Sequence, residues 1–251
     1  ICVLVLIPNS YLSQSEIDHW EAVVLDGSVW HYLIPNSQPD ATWNQPVFDD
    51  SNWQEGTSGF GYGDNDDETI IDQTTSIFIR HQFEIDDLSV IDSALFYMDY
   101  DDGFIAYLNG VEIARGNTGQ IGEFIAWDQD LETDHEAQIY SGGTPDEYFF
   151  DYENLLVQGT NTIAVEIHNV NSTSSDLTAR PFLMVGSYIE DYTFSETPNW
   201  FVAPENPCYN PNYVVVLNTN EWSNEVQWYI ENFDGEIVAE SNGGYSDYQQ
   251  Y

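Results

Sequence analysis

Hydrophobic and polar positions alternate with a period of two in several short segments of this 251-residue chain. The clearest is residues 77–85, where Ile77, Ile79 and Phe83 share one face with Ile85. A period of two places successive side chains on opposite faces of a strand. Further strands are predicted at 30–34, 161–169 and about 180–187. Turns and polar loops separate these segments, and helical periodicity is nearly absent. The pattern therefore predicts an all-β fold, an antiparallel β-sandwich or jelly roll.

We expect the segment 95–115 to form the centre of this fold; its sequence is LFYMDYDDGFIAYLNGVEIAR. Its first part, 95–100, is apolar and aromatic on both faces, as in a strand buried within a packed sheet. Asp101-Asp102-Gly103 is a turn signal. Asn109-Gly110 is a stronger one, because a type I′ hairpin turn needs positive φ at both central residues. We expect three strands in a meander, at 95–100, 104–108 and 111–115.

Changes in composition along the sequence predict that the chain is divided into four segments. Residues 1–14 begin with the apolar run ICVLVLI and resemble the remnant of a signal peptide, although an apolar joining strand is the alternative. The run is too short to span a membrane as a helix. Residues 15–190 form the jelly-roll domain. Prolines mark 191–207 as a linker, and alternation resumes in 208–251, a partial second β-sandwich.

The charge balance excludes several classes of function. The chain has 44 acidic residues against three basic ones, no lysine, and a net charge of −41. Binding to a nucleic-acid backbone needs clustered Lys and Arg, so nucleic acid is excluded as a partner. A phosphate-binding loop or a protein-kinase ATP site needs a lysine and is excluded for this segment. A surface of this charge instead favours cations.

A glycine-flanked acidic loop predicts a calcium site. Asp64, Asp66, Asp67 and Glu68 offer carboxylate oxygens at short spacing, which suits Ca²⁺, a hard ion that takes six to eight oxygen ligands. The spacing differs from that of an EF-hand. The alternative is a solvated acidic loop.

Two further sets of residues are candidates for ligand binding. Asp101 and Asp102 flank the turn in segment 95–115, where a sugar or a metal could meet them; alternatively, they bond turn amides. Trp53, Tyr62 and Trp127 are candidates for stacking against sugar rings, and the alternative is that they anchor loops and core.

No catalytic motif stands out. His168 with Ser174 and Asp176 lacks the Gly-x-Ser-x-Gly turn of a hydrolase nucleophile. His135-Glu136 lacks the second histidine of a zinc protease, and no His/Cys cluster has zinc spacing. The sequence therefore predicts a protein that is not an enzyme.

Several motifs, taken in order, resemble one family. They are HWEAVVLDGSVWHYLIP, FDDSNWQEG, GFGYGDNDDET, DYDDGFIAYLNGVEIAR and TIAVEIHNVNSTSSDL. They are similar to a galactose-binding-like jelly-roll module of large secreted bacterial surface proteins, which often carry a spore-coat-H-like kinase region or lamin-tail domains and a type IX secretion signal. The likeness covers roughly residues 18–187. The segment from Cys208 onward resembles the β module that follows, in which the first cysteine pairs with one beyond this segment.

This resemblance implies an exported, extracellular or cell-surface module without kinase activity, since the kinase region is not in this sequence. We expect a non-catalytic module that binds a glycan or another cell-surface polymer, with Ca²⁺ as a possible ligand. The alternative is a structural subunit of an extracellular filament or surface layer that joins other copies of itself by strand exchange.

Overall fold

The computed structural model describes residues 17–63 and 67–204, together with the backbone of two strands near the carboxyl terminus. The chain divides into two compact units, Ile1–Ala203 and Pro204–Tyr251. The predicted signal remnant or joining strand at 1–14, and most of 208–251, lie outside the described residues. Within the described part, no helix has the length and apolar character needed to cross a membrane.

The first unit is built almost entirely from strands. They are β1 (His19–Val24), β2 (Val29–Leu33), β3 (Gln54–Thr57), β4 (Phe60–Tyr62), β5 (Thr69–Ile70), β6 (Ser76–Ile85), β7 (Ile91–Asp101), β8 (Gly103–Leu108), β9 (Val111–Gly116), β10 (Asp146–Phe149), β11 (Gly159–His168), β12 (Leu177–Ser187) and β13 (Ser195–Glu196). One short helix, α1 (Tyr152–Leu155), and 3₁₀ turns at Leu88–Val90 and Ile139–Ser141 complete it. In the second unit, β14 (Tyr229–Glu231) and β15 (Ile237–Glu240) form an antiparallel pair.

The strands of the first unit form two sheets. The six-stranded sheet is antiparallel throughout, in the order β3-β2-β6-β11-β8-β9. The seven-stranded sheet has the order β10-β7-β12-β1-β13, with β4 also paired to β12 and β5 parallel to β4. The predicted all-β sandwich is confirmed.

The main core lies between the two sheets and follows the period-two pattern. Ile77 and Ile79 of β6 are fully buried there, as are Phe96 of β7 and Leu183 of β12. The strand predicted at 77–85 is confirmed, with the predicted face in the core. The hairpin turn is also confirmed, since Asn109 and Gly110 have φ values of 52° and 84°.

The three strands of segment 95–115 do not form one meander, so that prediction is wrong. β7 pairs with β10 and β12 in the seven-stranded sheet, whereas β8 pairs with β11 and β9 in the other. Asp101-Asp102-Gly103 therefore carries the chain from one sheet to the other. Space is tight there, because a side chain on Gly103 would come within 2.7 Å of Leu131 and 2.8 Å of Thr118. A side chain at position 103 would therefore require these neighbouring side chains to move.

The outer face of the six-stranded sheet is covered by loops that a buried arginine holds down. Arg80 of β6 is 1% exposed, and its Nε donates to Asp50 Oδ2 at 2.7 Å. Its Nη1 donates to the carbonyl of Trp43, and its guanidinium lies 5.3 Å from the ring centroid of Phe48. Trp43 in turn packs on Phe78 as part of a second, smaller apolar cluster. Both faces of this sheet are consequently buried at its centre.

The outer face of the seven-stranded sheet is covered by the segment that follows β12. Trp200 packs edge-on against Phe182 and Tyr97, with ring centroids 5.0 Å and 5.2 Å away. The buried carboxylate of Glu21 accepts hydrogen bonds from the backbone amides of Thr193 and Phe194. Parts of the segment predicted as a linker, around Phe194 and Trp200, thus pack onto the sandwich.

We expect Trp200→Ala to lower the free energy of unfolding by about 2 kcal/mol, because it uncovers Phe182 and Tyr97. Urea unfolding followed by tryptophan fluorescence measures the change. Val202→Ala is the matched control, since Val202 lies two residues away and is 79% exposed. Equal stability of the two variants would show that this segment does not cover the sheet in solution.

Candidate functional site

Three carboxylates meet at one end of the sandwich. Asp101 ends β7, and Asp176 directly precedes β12; the pairing of Thr178 with Asp101 brings the two together. Glu136 comes from the long loop between β9 and β10. One oxygen from each of the three side chains lies within 4.8 Å of the other two. We call this group the rim triad.

Two neighbouring aspartates hold the loop that carries Glu136. Asp102 Oδ1 accepts from the backbone amide of His135 at 3.0 Å, and its Oδ2 accepts from Val170 at 2.6 Å. Asp99 accepts from the amides of Gln138 and Ile139, at 2.6 Å and 3.1 Å. Charged acceptors make strong hydrogen bonds to backbone amides. Glu136 is exposed, yet its backbone is fixed on both sides.

Asp101 differs from these two aspartates. It is 4% exposed, and its carboxylate lies among those of Asp102, Asp176 and Glu136. Burial, which is the largest cause, and the nearby charges of Asp102 and Asp176 together raise the pKa of Asp101 to about 8. A buried carboxylate among other carboxylates takes up either a proton or a cation.

The oxygen-only composition and the spacing of the rim triad fit calcium. Ca²⁺ binds carboxylate and carbonyl oxygens at about 2.3–2.6 Å, so two oxygens on opposite sides of it stand about 4.8 Å apart. The three carboxylates supply between three and six such oxygens, depending on whether each binds through one or both. They would hold the ion, while water or backbone carbonyls complete its shell.

The predicted acidic loop borders this triad. Asp64 and Asp66 lie outside the described residues. The carboxylate of Asp67 lies beside Gly61, where an added Cβ would be 2.5 Å from Oδ2, and Glu68 is exposed. Gly63, at the other end of the loop, lies against Asp176, since a side chain there would come within 2.8 Å of Asp176 Cβ. The loop as a calcium site stays a prediction; the ends of the loop flank the start of β12.

The predicted aromatic residues lie in two places. The Tyr62 hydroxyl donates to the carbonyl of Ser174 at 3.3 Å and accepts from Asn169 Nδ2 at 2.8 Å, beside the rim triad. Trp53 and Trp127 are half-buried on the outer face of the six-stranded sheet, packed on the cluster around Trp43. The sugar-stacking role of the three stays a prediction.

Sequence reasoning found Asp101 but missed the two residues that join it. Asp176 is visible in the sequence only as a loop residue before a strand. Glu136 carries no sequence signal, because it lies 35 positions from Asp101 in a loop of irregular composition. Only the loop's attachment to Asp99 and Asp102 brings it to the rim.

Comparisons with known proteins give a distant structural likeness and no family. No protein-family model matches the chain, and no curated protein matches it. A β-glucuronidase of Bacteroides uniformis aligns at 14% identity and a TM-score of 0.43, over 66% of this chain and 18% of that chain. A β-glucuronidase from an uncultured Clostridium species aligns at 15% identity and a TM-score of 0.41, over 93% and 39%.

A glycosyl hydrolase family 2 member from Bacteroides cellulosilyticus aligns at 14% identity and a TM-score of 0.41, over 66% of this chain and 20% of that chain. The alignments with these three proteins thus span between about a fifth and two fifths of their lengths. At these identities and TM-scores the likeness carries no conclusion about the function of this chain. The resemblance to secreted bacterial surface proteins stays a prediction.

We expect the stability of the wild-type protein in chelator to fall as pH rises from about 4 to about 8, through Asp101. The folded state holds a proton on Asp101 up to pH of about 8, whereas the unfolded chain releases it near 4, so the folded state binds more protons in this window. The slope from one such group is at most about 1.4 kcal/mol per pH unit.

Asp101→Asn removes this pH dependence. The free energy of unfolding of the variant should therefore rise relative to that of the wild type as pH rises, and exceed it at pH 8. Urea unfolding at pH 5, 6.5 and 8, in chelator, compares the two. Parallel pH profiles for the two proteins would show that Asp101 is not held protonated in the fold.

Proposed function

We propose that this chain is a non-catalytic binding module of an exported cell-surface protein, which binds Ca²⁺ at the rim triad and attaches to a glycan or another surface polymer. The observation that carries the proposal is the rim triad itself: three carboxylates with one oxygen each within 4.8 Å of the others, and one of the three, Asp101, buried. Gathering like charges costs free energy that a bound cation offsets.

The surroundings of the triad support a built cation site over a chance group of acids. Asp99 and Asp102 use their oxygens on backbone amides on both sides of Glu136, so Glu136 is presented from a fixed loop. A preorganised ligand loses less conformational freedom when it binds. The net charge of −41 attracts cations to the whole surface and adds to the effect.

The placement of the histidine considered for catalysis supports a non-catalytic role. His168 Nε2 lies 3.3 Å from Glu166 Oε2, and His168 is fully buried. The carbonyl of Ser174 accepts from Tyr62 and Gln73, and the Ser175 hydroxyl donates to Asp176 at 3.1 Å. In the part of the chain that the structure describes, no serine hydroxyl forms a hydrogen bond with His168, whereas a nucleophile and its base require one.

We expect millimolar Ca²⁺ to raise the melting temperature more than NaCl of equal ionic strength, and more than Mg²⁺, which prefers octahedral sites and keeps its water. Binding to the folded state alone adds about 2.7 kcal/mol when Ca²⁺ is at a hundred times its dissociation constant. Differential scanning calorimetry in chelator, Ca²⁺, Mg²⁺ and matched NaCl measures this.

Asp176→Asn and Glu136→Gln should each abolish most of the calcium response. Asp86→Asn is the matched control, because Asp86 is exposed and lies far from the rim triad. It follows Ile85 at the end of β6 that pairs with Gly159, which is the end opposite to the rim. A response no larger in Ca²⁺ than in matched NaCl, or one that persists in both rim variants, would refute the calcium site.

A further inference from the structure

A small cleft opens on the outer face of the six-stranded sheet, away from the core between the sheets. Its floor is formed by Tyr107 of β8 and Glu166 of β11, which lie on neighbouring strands. The loop before β3 contributes Trp43 and Asn44, and the loop after β9 contributes Phe124. The cleft has a volume of about 190 Å³.

We propose that this cleft is the sugar subsite of the module and takes one neutral pyranose, such as the terminal residue of a glycan. The inference rests on the proposed function, because it names the place and the class of ligand for glycan attachment. Its support comes from the acceptors, donors and aromatic surface that line the cleft.

The acceptor is a buried carboxylate held in one orientation. Glu166 is 5% exposed; its Oε1 accepts from the Tyr107 hydroxyl at 2.8 Å, and its Oε2 lies 3.3 Å from His168 Nε2. Burial, followed by the charge of Glu166, raises the pKa of Tyr107, so the phenol keeps its proton and goes on donating. A carboxylate has about four acceptor positions, and those that remain are available to hydroxyl groups in the cleft.

The donors are two side-chain amides at the wall. Gln38 Oε1 accepts from the backbone amide of Trp127 at 3.1 Å, which orients the Gln38 NH₂ as a donor. Asn44 Oδ1 accepts a hydrogen bond from Gln45 Nε2 at 3.1 Å, so the Asn44 NH₂ group is also a donor. Sugar hydroxyls both donate and accept, so they fit a cleft with amide donors and a carboxylate acceptor, whereas an ammonium group would use the acceptors alone.

Phe124 supplies the apolar surface at the mouth of the cleft. Its side chain is 77% exposed, so its ring is accessible to a ligand in the cleft. Trp43, only 6% exposed, packs edge-on against Tyr107 with ring centroids 5.6 Å apart and forms a rigid wall. Aromatic side chains with a few fixed polar groups are typical of small-molecule sites.

Charge and size narrow the ligand class. The charged residues among those lining the cleft are Glu123 and Glu166, both acidic, so uronic acids, sialic acids and phosphates are disfavoured. The volume of about 190 Å³ is below the roughly 300–1,000 Å³ of sites for drug-sized ligands. One neutral ring fits these limits.

The test is a titration of the full chain, in Ca²⁺, with neutral methyl hexosides and with methyl glucuronide, followed by the amide and indole NMR signals of Trp43 and its neighbours. We expect a neutral hexoside to bind and the glucuronide to bind more weakly. Phe124→Ala should lower the affinity about five- to tenfold, the range of one aromatic contact. Asn44→Ala should also weaken binding.

Tyr140→Ala is the matched control, since Tyr140 is a 52% exposed aromatic outside the cleft lining, and this variant should bind as the wild type does. Unchanged affinity in both cleft variants, or signals that shift elsewhere, would place glycan binding at another surface and refute the cleft while leaving the proposed function standing. Equal binding of the glucuronide and the neutral hexoside would refute the ligand class. No binding by any sugar would overturn both the cleft and the glycan part of the proposed function, whereas the calcium response is measured independently.

Discussion

The ion pair between Arg80 and Asp50 fixes the layer on which the outer face of the six-stranded sheet depends. Arg80 is one of three basic residues in the chain, yet it is fully buried beneath a loop instead of lying at the surface. Its bonds to Asp50 and to the carbonyl of Trp43 hold that loop on the sheet. A buried guanidinium needs such partners, because an unpaired buried charge is costly.

The covered face explains how a β-sandwich acquires a cleft away from its core. Trp43 is placed by the Arg80 bond to its carbonyl and then forms a wall above Tyr107 and Glu166. The outer layer is built from loops, which have no ladder of their own and present side-chain amides and carbonyls at their edges. A polar pocket with rigid walls follows from this mixture of packing and irregular backbone.

Carboxylates near the turn between β7 and β8 divide into two roles. Asp99 and Asp102 accept hydrogen bonds from backbone amides and act as structural anchors, whereas Asp101 lies with Glu136 and Asp176 in the rim triad. In a chain with 44 acidic residues, Asp101 is distinguished by its burial among other carboxylates. Exposed acids are solvated and repel only weakly through screened solvent.

The sequence by itself determined the all-β class, the strand faces and the hairpin at Asn109-Gly110, because period-two alternation and turn chemistry are local properties. It also named Asp101 and Asp102 as candidate ligand residues, beside the acids of the 64–68 loop. Only the tertiary structure decided that β7 and β8 belong to different sheets, because alternation specifies which side of a strand is buried and not which strand it pairs with. For the same reason the sequence could not bring Glu136 to Asp101: a loop amide bonded to a distant carboxylate sets that distance, and no pattern along the chain encodes it.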